Sequence, residues 1–292
     1  MKQYTSLYFV GAGGIGMSAL VRYFLAKGYK VAGYDRTQSP LTTELKAEGL
    51  EIVYEESVES IPDYCRNPET TLVVYTPAIP TSHSGLVYFR EHGFRVVKRA
   101  ELLGLITQSS RGLCFAGTHG KTTTSSMAAH IFHESPIGCN AFLGGILRNY
   151  NSNLILSEQS PFTVIEADEY DRSFHWLHPY MAVVTATDPD HLDIYGTEEA
   201  YLESFAHFTS LIQPGGCLIM KKGIRLVPNV KEGVKIYTYS ARDGGDFHAG
   251  NIRIGDGTIV FDFVTPEGVF ADIELGVPVE INIENAVAAM AI

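Results

Sequence analysis

Short continuous apolar runs bounded by glycine or polar turn residues alternate with stretches whose apolar positions recur at helical spacing. Leu7 to Val10 reads as a strand, Gly11 to Gly16 as a tight loop, Met17 to Lys27 as a helix and Lys30 to Gly33 as a second strand ending at Tyr34-Asp35, which is one βαβ unit. Strand candidates at Thr71 to Tyr75 and Arg95 to Val97 alternate with helical stretches at Leu41 to Glu48 and Ser84 to His92. This pattern predicts a Rossmann-like, doubly wound parallel sheet. The polar run Thr107 to Gly112 carries neither apolar period, and places a domain boundary between 1–107 and 108–292.

Beyond it, Leu113 to Ala116 predicts a short buried strand and Thr123 to Phe132 a helix. Strands at Phe162 to Glu166 and Met181 to Thr185 follow, then a helix over Glu198 to Ile212, stopped by Gln213-Pro214-Gly215-Gly216. Short strand-like runs separated by glycine turns fill Cys217 to Ile273. The expectation for the second domain is a P-loop-type α/β ATPase. Glu284 to Ile292 reads as a helix without glycine cap, basic last turn or following proline, so the polypeptide is expected to continue past Ile292.

Composition narrows the class. With 292 residues, 45% of them hydrophobic, the chain can fill two packed cores. A net charge of −11 disfavours a sequence-independent hold on nucleic acid. Cys65, Cys114, Cys139 and Cys217 are widely spaced and read as reduced core thiols. The N-terminus enters a strand without a signal-peptide h-region, and no apolar run reaches membrane-spanning length, so a cytoplasmic protein without a membrane partner is expected. Oligomeric state has no signature in the sequence.

The candidate chemistry lies in loops after apolar strands. Gly11-Ala12-Gly13-Gly14-Ile15-Gly16 satisfies G-x-G-x-x-G between strand and helix, and Asp35 ends the next strand. Such glycines admit a pyrophosphate to a helix N-terminus, while the carboxylate can accept from a ribose hydroxyl. A dinucleotide and a uridine diphosphate sugar satisfy them equally. Gly117-Thr118-His119-Gly120-Lys121-Thr122-Thr123 is a shortened G-x-x-G-K-T phosphate loop, with Phe115 where the longer motif has glycine. Lys121 can reach the outer phosphates of ATP, and the Thr122 hydroxyl can ligate Mg²⁺. Four carboxylates follow a strand in Glu166-Ala167-Asp168-Glu169-Tyr170-Asp171; such crowding calls for a cation, and Glu166 is the best-placed ligand. In Asp188-Pro189-Asp190-His191-Leu192-Asp193, a histidine flanked by aspartates could ligate a second divalent ion.

Taken together these segments resemble the Mur ligases of peptidoglycan synthesis. The matching pieces are Gly13-Gly14-Ile15-Gly16-Met17-Ser18, Tyr75-Thr76-Pro77-Ala78-Ile79, Arg99-Ala100-Glu101, the Gly117 to Thr124 loop, Glu166-Ala167-Asp168-Glu169 and Asp190-His191-Leu192-Asp193. The resemblance implies that Gly11, Gly13, Gly14, Ile15, Gly16, Asp35, Thr76, Pro77 and Arg99 bind the UDP part of UDP-N-acetylmuramate rather than NAD. It also implies that ATP phosphorylates the lactyl carboxylate and that an amine attacks the acyl phosphate, with Lys121, Glu166 and His191 as the catalytic set. Thr122, Glu166 and His191 would hold metal, two Mg²⁺ ions with Mn²⁺ as an alternative occupant, and Asn282 with Asn285 would serve the adenine side.

Within the family, the branch that adds L-alanine is the better match. Glu198 to Gln213 has no lysine for the carbamylated residue that several members use, and Arg172-Ser173-Phe174-His175-Trp176-Leu177 looks like that branch. The branch that adds a whole tripeptide is the alternative; a nucleotide-sugar-binding module without catalysis, or an NAD enzyme, is another. Ile281 stands where the family has a histidine, which departs from its asparagine pattern. The family's third domain, which helps bind ATP and the amino acid, would begin past Ile292, so a fragment weak or inactive in ligation is expected.

Overall fold

The computed structural model describes residues 3–242, 244–276 and 278–292. The chain divides into two compact units, Met1–Leu105 and Ile106–Ile292.

The first unit contains β1 (Ser6–Val10), α1 (Ile15–Ala26), β2 (Lys30–Tyr34), α2 (Pro40–Ala47), β3 (Glu51–Val53), β4 (Thr71–Tyr75), α3 (Ser84–Glu91) and β5 (Arg95–Lys98). Its five strands form a wholly parallel sheet in the order β3-β2-β1-β4-β5, with the order reversing beside β1. Every residue of β1 is buried, as a central strand covered on both faces demands, which is why its sequence is a continuous apolar run rather than an alternation. The loop between β1 and α1 therefore lies at the carboxyl edge of the sheet, where parallel folds bind ligands.

The helix α4 (Arg99–Ser109) carries the residue at which the two units divide. The polar run expected as a linker is the last helical turn followed by the start of β6 (Arg111–Ala116). Its hydroxyls satisfy themselves on the backbone: Ser109 and Ser110 both donate to the Ile106 carbonyl at 3.0 Å, and buried Thr107 accepts from the His178 N–H at 3.0 Å. Local hydrogen bonding thus hides helix from a hydrophobicity pattern.

The second unit continues with α5 (Lys121–Glu134), β7 (Asn140–Leu147), β8 (Ser152–Ile155), β9 (Phe162–Glu166), a 3₁₀ segment (Tyr170–Trp176), β10 (Pro179–Val184), the single turn α6 (Leu192–Tyr195) and α7 (Glu198–Ser210). Then come β11 (Cys217–Lys221), β12 (Lys235–Ser240), β13 (Phe247–Gly255), β14 (Thr258–Thr265), β15 (Gly268–Leu275) and α8 (Ile281–Ala291). Ten strands make one mixed sheet, β15-β14-β13-β12-β11-β10-β6-β9-β7-β8. The pairs from β13 to β7 are parallel, and antiparallel pairs close both ends. Leu113, Phe115, Val164 and Val183 from the central strands share a core with Ala128 and Ala129 of α5 and Val287 and Ala288 of α8. Small residues on both helices let them lie close together. No helix among the described residues is long and apolar enough to cross a membrane.

In the first unit, His83 caps α3: its buried Nδ1 accepts the Leu86 N–H at 3.3 Å, which leaves the ring proton on Nε2. Burial holds the His83 pKa below its ordinary 6.5, against a weaker upward pull from Glu56. A folded value below the unfolded one gives a stabilisation that is complete above pH 6.5 and is lost as the pH falls past it, when Nδ1 becomes a donor. His83→Asn, which keeps a cap acceptor without titrating, is expected to lose less stability than the wild type as the pH falls through the range below 6.5, read from denaturant melts at each pH.

Candidate active site

Three neighbouring parallel strands, β9, β6 and β10, end at one level, with Phe115 opposite Glu166 and Ala116 opposite Val184. The loops that follow them meet there. After β6, Gly117 turns at φ +139° and Gly120 at φ +84° sets the N-terminus of α5, so Lys121 opens the helix. Both glycines are required. A Cβ on Gly117 would fall 2.1 Å from the Thr185 hydroxyl, and one on Gly120 would fall 2.9 Å from Asn285 Oδ1.

The loop is laced to the segment after β10. The Thr185 hydroxyl lies 2.5 Å from the His119 carbonyl, Thr118 N–H donates to the Ala186 carbonyl at 3.1 Å, and the Thr118 hydroxyl donates to the Asp188 carbonyl at 2.7 Å. The Tyr201 hydroxyl, on α7, meets Thr118 Oγ1 at 2.9 Å. His119 and Thr123 are exposed. From the other side, the buried Thr124 hydroxyl donates to Asn285 Oδ1 at 3.2 Å, and Asn285 Nδ2 donates to Asn282 Oδ1 at 3.1 Å. The two asparagines of α8 are thereby joined and set against the loop helix.

Glu166 leaves the end of β9 beside Thr122. Its Oε1 accepts the Thr122 hydroxyl at 2.9 Å and its Oε2 accepts the Gly144 N–H at 3.0 Å. Gly144 admits this approach because a Cβ there would stand 2.4 Å from Oε2. Lys121 Nζ donates to the Gly117 carbonyl at 2.7 Å and to Glu169 Oε1 at 2.9 Å, and touches Glu169 Oε2 at 2.7 Å as an ion contact. Glu169 is 1% exposed, and burial pushes its carboxyl up against the downward pull of Lys121. The Tyr195 hydroxyl donates to the Glu169 carbonyl at 2.5 Å.

The expected metal set is only partly assembled. Thr122 and Glu166 meet, whereas His191, in left-handed backbone at φ 53°, lies 3.7 Å from Asp190 Oδ2 and sets its ring edge-on to Tyr170. Among the described residues no three His, Cys, Asp or Glu side chains gather into a metal-binding group. The acidic crowding after β9 is relieved by separation: Glu166 turns to Thr122, Asp168 accepts the Tyr170 N–H, and Glu169 turns to Lys121. A carboxylate and a hydroxyl at the mouth of a phosphate loop suit Mg²⁺, which takes few protein oxygens and completes its shell with phosphate and water.

In the first unit, Gly11 turns at φ +92° against Thr76, with a Cβ position 2.5 Å from the threonine methyl. Gly13 N–H donates to Asp35 Oδ2 at 2.6 Å, and Thr37 N–H donates to Oδ1 at 3.0 Å. Asp35, expected to await a ribose, thus also staples the glycine loop, each oxygen keeping one further lone pair. Gly14 caps α1 without a side-chain bond, and the Arg99 guanidinium lies 2.9 Å from the Cβ position of Gly16. Ile15 is exposed at the start of α1, and Pro77 follows Thr76 in the turn closed by the Ile79 N–H to Thr76 carbonyl bond at 3.0 Å.

Sequence reasoning passed over Gly144, Thr185, Tyr195, Tyr201 and the pairing of Glu169. Nothing in an acidic cluster distinguishes its buried member: Glu169 lies past the end of β9, in helical backbone where strand alternation no longer applies, and is buried beside Lys121.

Gly117→Ala is expected to lower stability by roughly 2 kcal/mol or more, because backbone strain and the Thr185 contact coincide. Gly145→Ala, whose added methyl would meet the Thr122 methyl at an ordinary 3.5 Å, should stay within about 1 kcal/mol of wild type in the same urea titration.

Comparison with known proteins gives two family matches, to the Mur ligase middle domain over residues 115–292 and to the Mur ligase family, catalytic domain, over residues 6–111. The chain is 68% identical, over all its 292 residues, to UDP-N-acetylmuramate–L-alanine ligase of Parabacteroides distasonis, and 46% identical to the enzyme of that name from Flavobacterium johnsoniae. It spans 63% of the length of each of these curated relatives. Among solved structures, UDP-N-acetylmuramate-alanine ligase from Thermotoga maritima shares the fold with TM-score 0.78 at 24% identity, covering 98% of this chain and 64% of that one. UDP-N-acetylmuramate:L-alanyl-gamma-D-glutamyl-meso-diaminopimelate ligase from Neisseria meningitidis does so with TM-score 0.82 at 22% identity, covering 99% and 92%.

Proposed function

The chain belongs to the Mur ligase family, and from that premise we propose that it carries the UDP-sugar site and much of the ATP site of a ligase joining L-alanine to UDP-N-acetylmuramate. The observation that carries this reading is the pairing of Thr122 with Glu166 and of Lys121 with Glu169 where the phosphate loop meets the end of β9, in a chain 68% identical to a relative of that name.

In this reading the loop N–H groups from Gly117 to Thr123 and the N-terminus of α5 hold the phosphates of ATP, and Lys121 meets the outer ones. Thr122 and Glu166 would hold Mg²⁺, and His191 with Asp190 would serve a second ion. Held there, a metal ion would neutralise charge on the transferred phosphoryl. The γ-phosphoryl passes to the lactyl carboxylate oxygen, ADP leaves, and the L-alanine amine attacks the acyl phosphate, expelling phosphate as the amide forms. Before transfer two anions must be drawn together, and that repulsion is what the cationic side of the site offsets. Asn282 and Asn285 take the adenine side. In the first unit Gly11, Gly13, Gly14, Ile15 and Gly16 admit the uridine diphosphate, with Thr76, Pro77, Arg99 and the remaining lone pairs of Asp35 around it. A cytoplasmic location is part of the proposal and is supported by four unpaired cysteines.

Calorimetric titration with UDP-N-acetylmuramate, NAD and Mg²⁺-ATP tests the division of labour. Lys121→Ala should weaken ATP binding by at least about tenfold, a loss of about 1.4 kcal/mol, and leave UDP-N-acetylmuramate binding unchanged. Binding of NAD without a response to the UDP-sugar would overturn the assignment of the first unit.

A further inference from the structure

The Lys121 ammonium is engaged by protein groups on two sides. Of its three N–H donors one goes to the Gly117 carbonyl, and both oxygens of Glu169 lie within 2.9 Å of Nζ. A carboxylate 1% exposed cannot trade this partner for water. Glu169 is also held by its backbone, since the Tyr195 hydroxyl donates to its carbonyl, and Tyr195 packs edge-on against buried Tyr201, which holds Thr118 of the phosphate loop. The next residues, Asp171 and Arg172, sit in left-handed backbone at φ 50° and 54°, with the Arg172 guanidinium over the Tyr195 ring at 4.6 Å. The turn thus packs around Tyr195, whose hydroxyl holds the Glu169 backbone beside the lysine that the phosphates need. With the pair intact, Lys121 offers them little net charge.

We propose that Glu169 is a positioning residue for nucleotide binding: it holds Lys121 beside the Gly117 carbonyl and restrains it by charge, so that phosphates compete with Glu169 for the ammonium. This rests on the reading of the 117–124 loop as an ATP site. It predicts a sign that a purely structural carboxylate would not give. Glu169→Gln keeps the shape and one acceptor oxygen for Lys121 while removing the charge, so ATP should bind more tightly rather than less.

The test is calorimetric titration of ATP into the wild-type chain, Glu169→Gln, Lys121→Ala and the double variant, with each variant's fold checked by its melting curve. Expected is a gain of about threefold to tenfold for Glu169→Gln, and no gain when the same change is made on top of Lys121→Ala, because the effect passes through the lysine. Glu169→Asp, which withdraws the carboxylate by one methylene, should give a smaller gain and serves if the glutamine variant does not fold. Unchanged or weaker ATP binding by a folded Glu169 variant would overturn the proposal, as would a gain that persists without Lys121. Failure of the wild-type chain to bind ATP would instead remove the reading on which the proposal stands.

Discussion

The register of β6 between β9 and β10 is the constraint on which the site depends. Parallel pairing of Phe115 with Glu166 and of Ala116 with Val184 brings three loops to one level, and a slip of one residue would turn every side chain in the moved strand to the opposite face. Glu166 would then leave Thr122. That register is fixed by the apolar side chains of Leu113, Phe115, Val164 and Val183 in the core beneath. Positioning of the polar groups above thus follows from hydrophobic packing below, and hydrogen bonds from Thr185, Tyr201 and Asn285 then fasten the phosphate loop in place.

The two units apply the same device with different fastenings. In each, a glycine-rich turn joins a buried parallel strand to a helix N-terminus, which favours an anion at that point. The first unit holds its turn with Asp35, whose oxygens both accept backbone N–H groups. The second holds its turn with Thr185, Tyr201 and Asn285, drawn from three other elements. A carboxylate fastening makes the first turn more acidic, whereas hydroxyl and amide fastenings leave the charge of the second to Lys121 and its partners.

Much of this was legible in the sequence because buried parallel strands write themselves as continuous apolar runs. Thr71–Tyr75 and Phe162–Glu166 form strands with the boundaries that the pattern predicts. Helix α4 was not legible, since Ser109 and Ser110 bond back to the helix and Thr107 is buried against the His178 N–H, which erases the contrast between polar and apolar faces. The first turn of α5 was missed for a related reason: Lys121 and Thr122 are helical residues whose side chains serve the loop. The motifs located Lys121, Thr122 and Glu166 together, but the partner of Lys121 required knowing which carboxylate after β9 points inward. His191 was located in a strand-end loop as expected, yet its ring is turned to Tyr170 and Asp190, which no linear spacing encodes.

The bond from Thr124 to Asn285 spans 161 residues of sequence. During synthesis the phosphate loop of the second unit is made early and its back wall late, so a ribosome must deliver α8 before Gly120 meets the group that fits it. The first unit closes its own glycine loop through Asp35, a separation of 22 residues, and can settle while the rest of the chain is still emerging. Vectorial synthesis thus orders the two loops in time, and gives the first one the shorter wait.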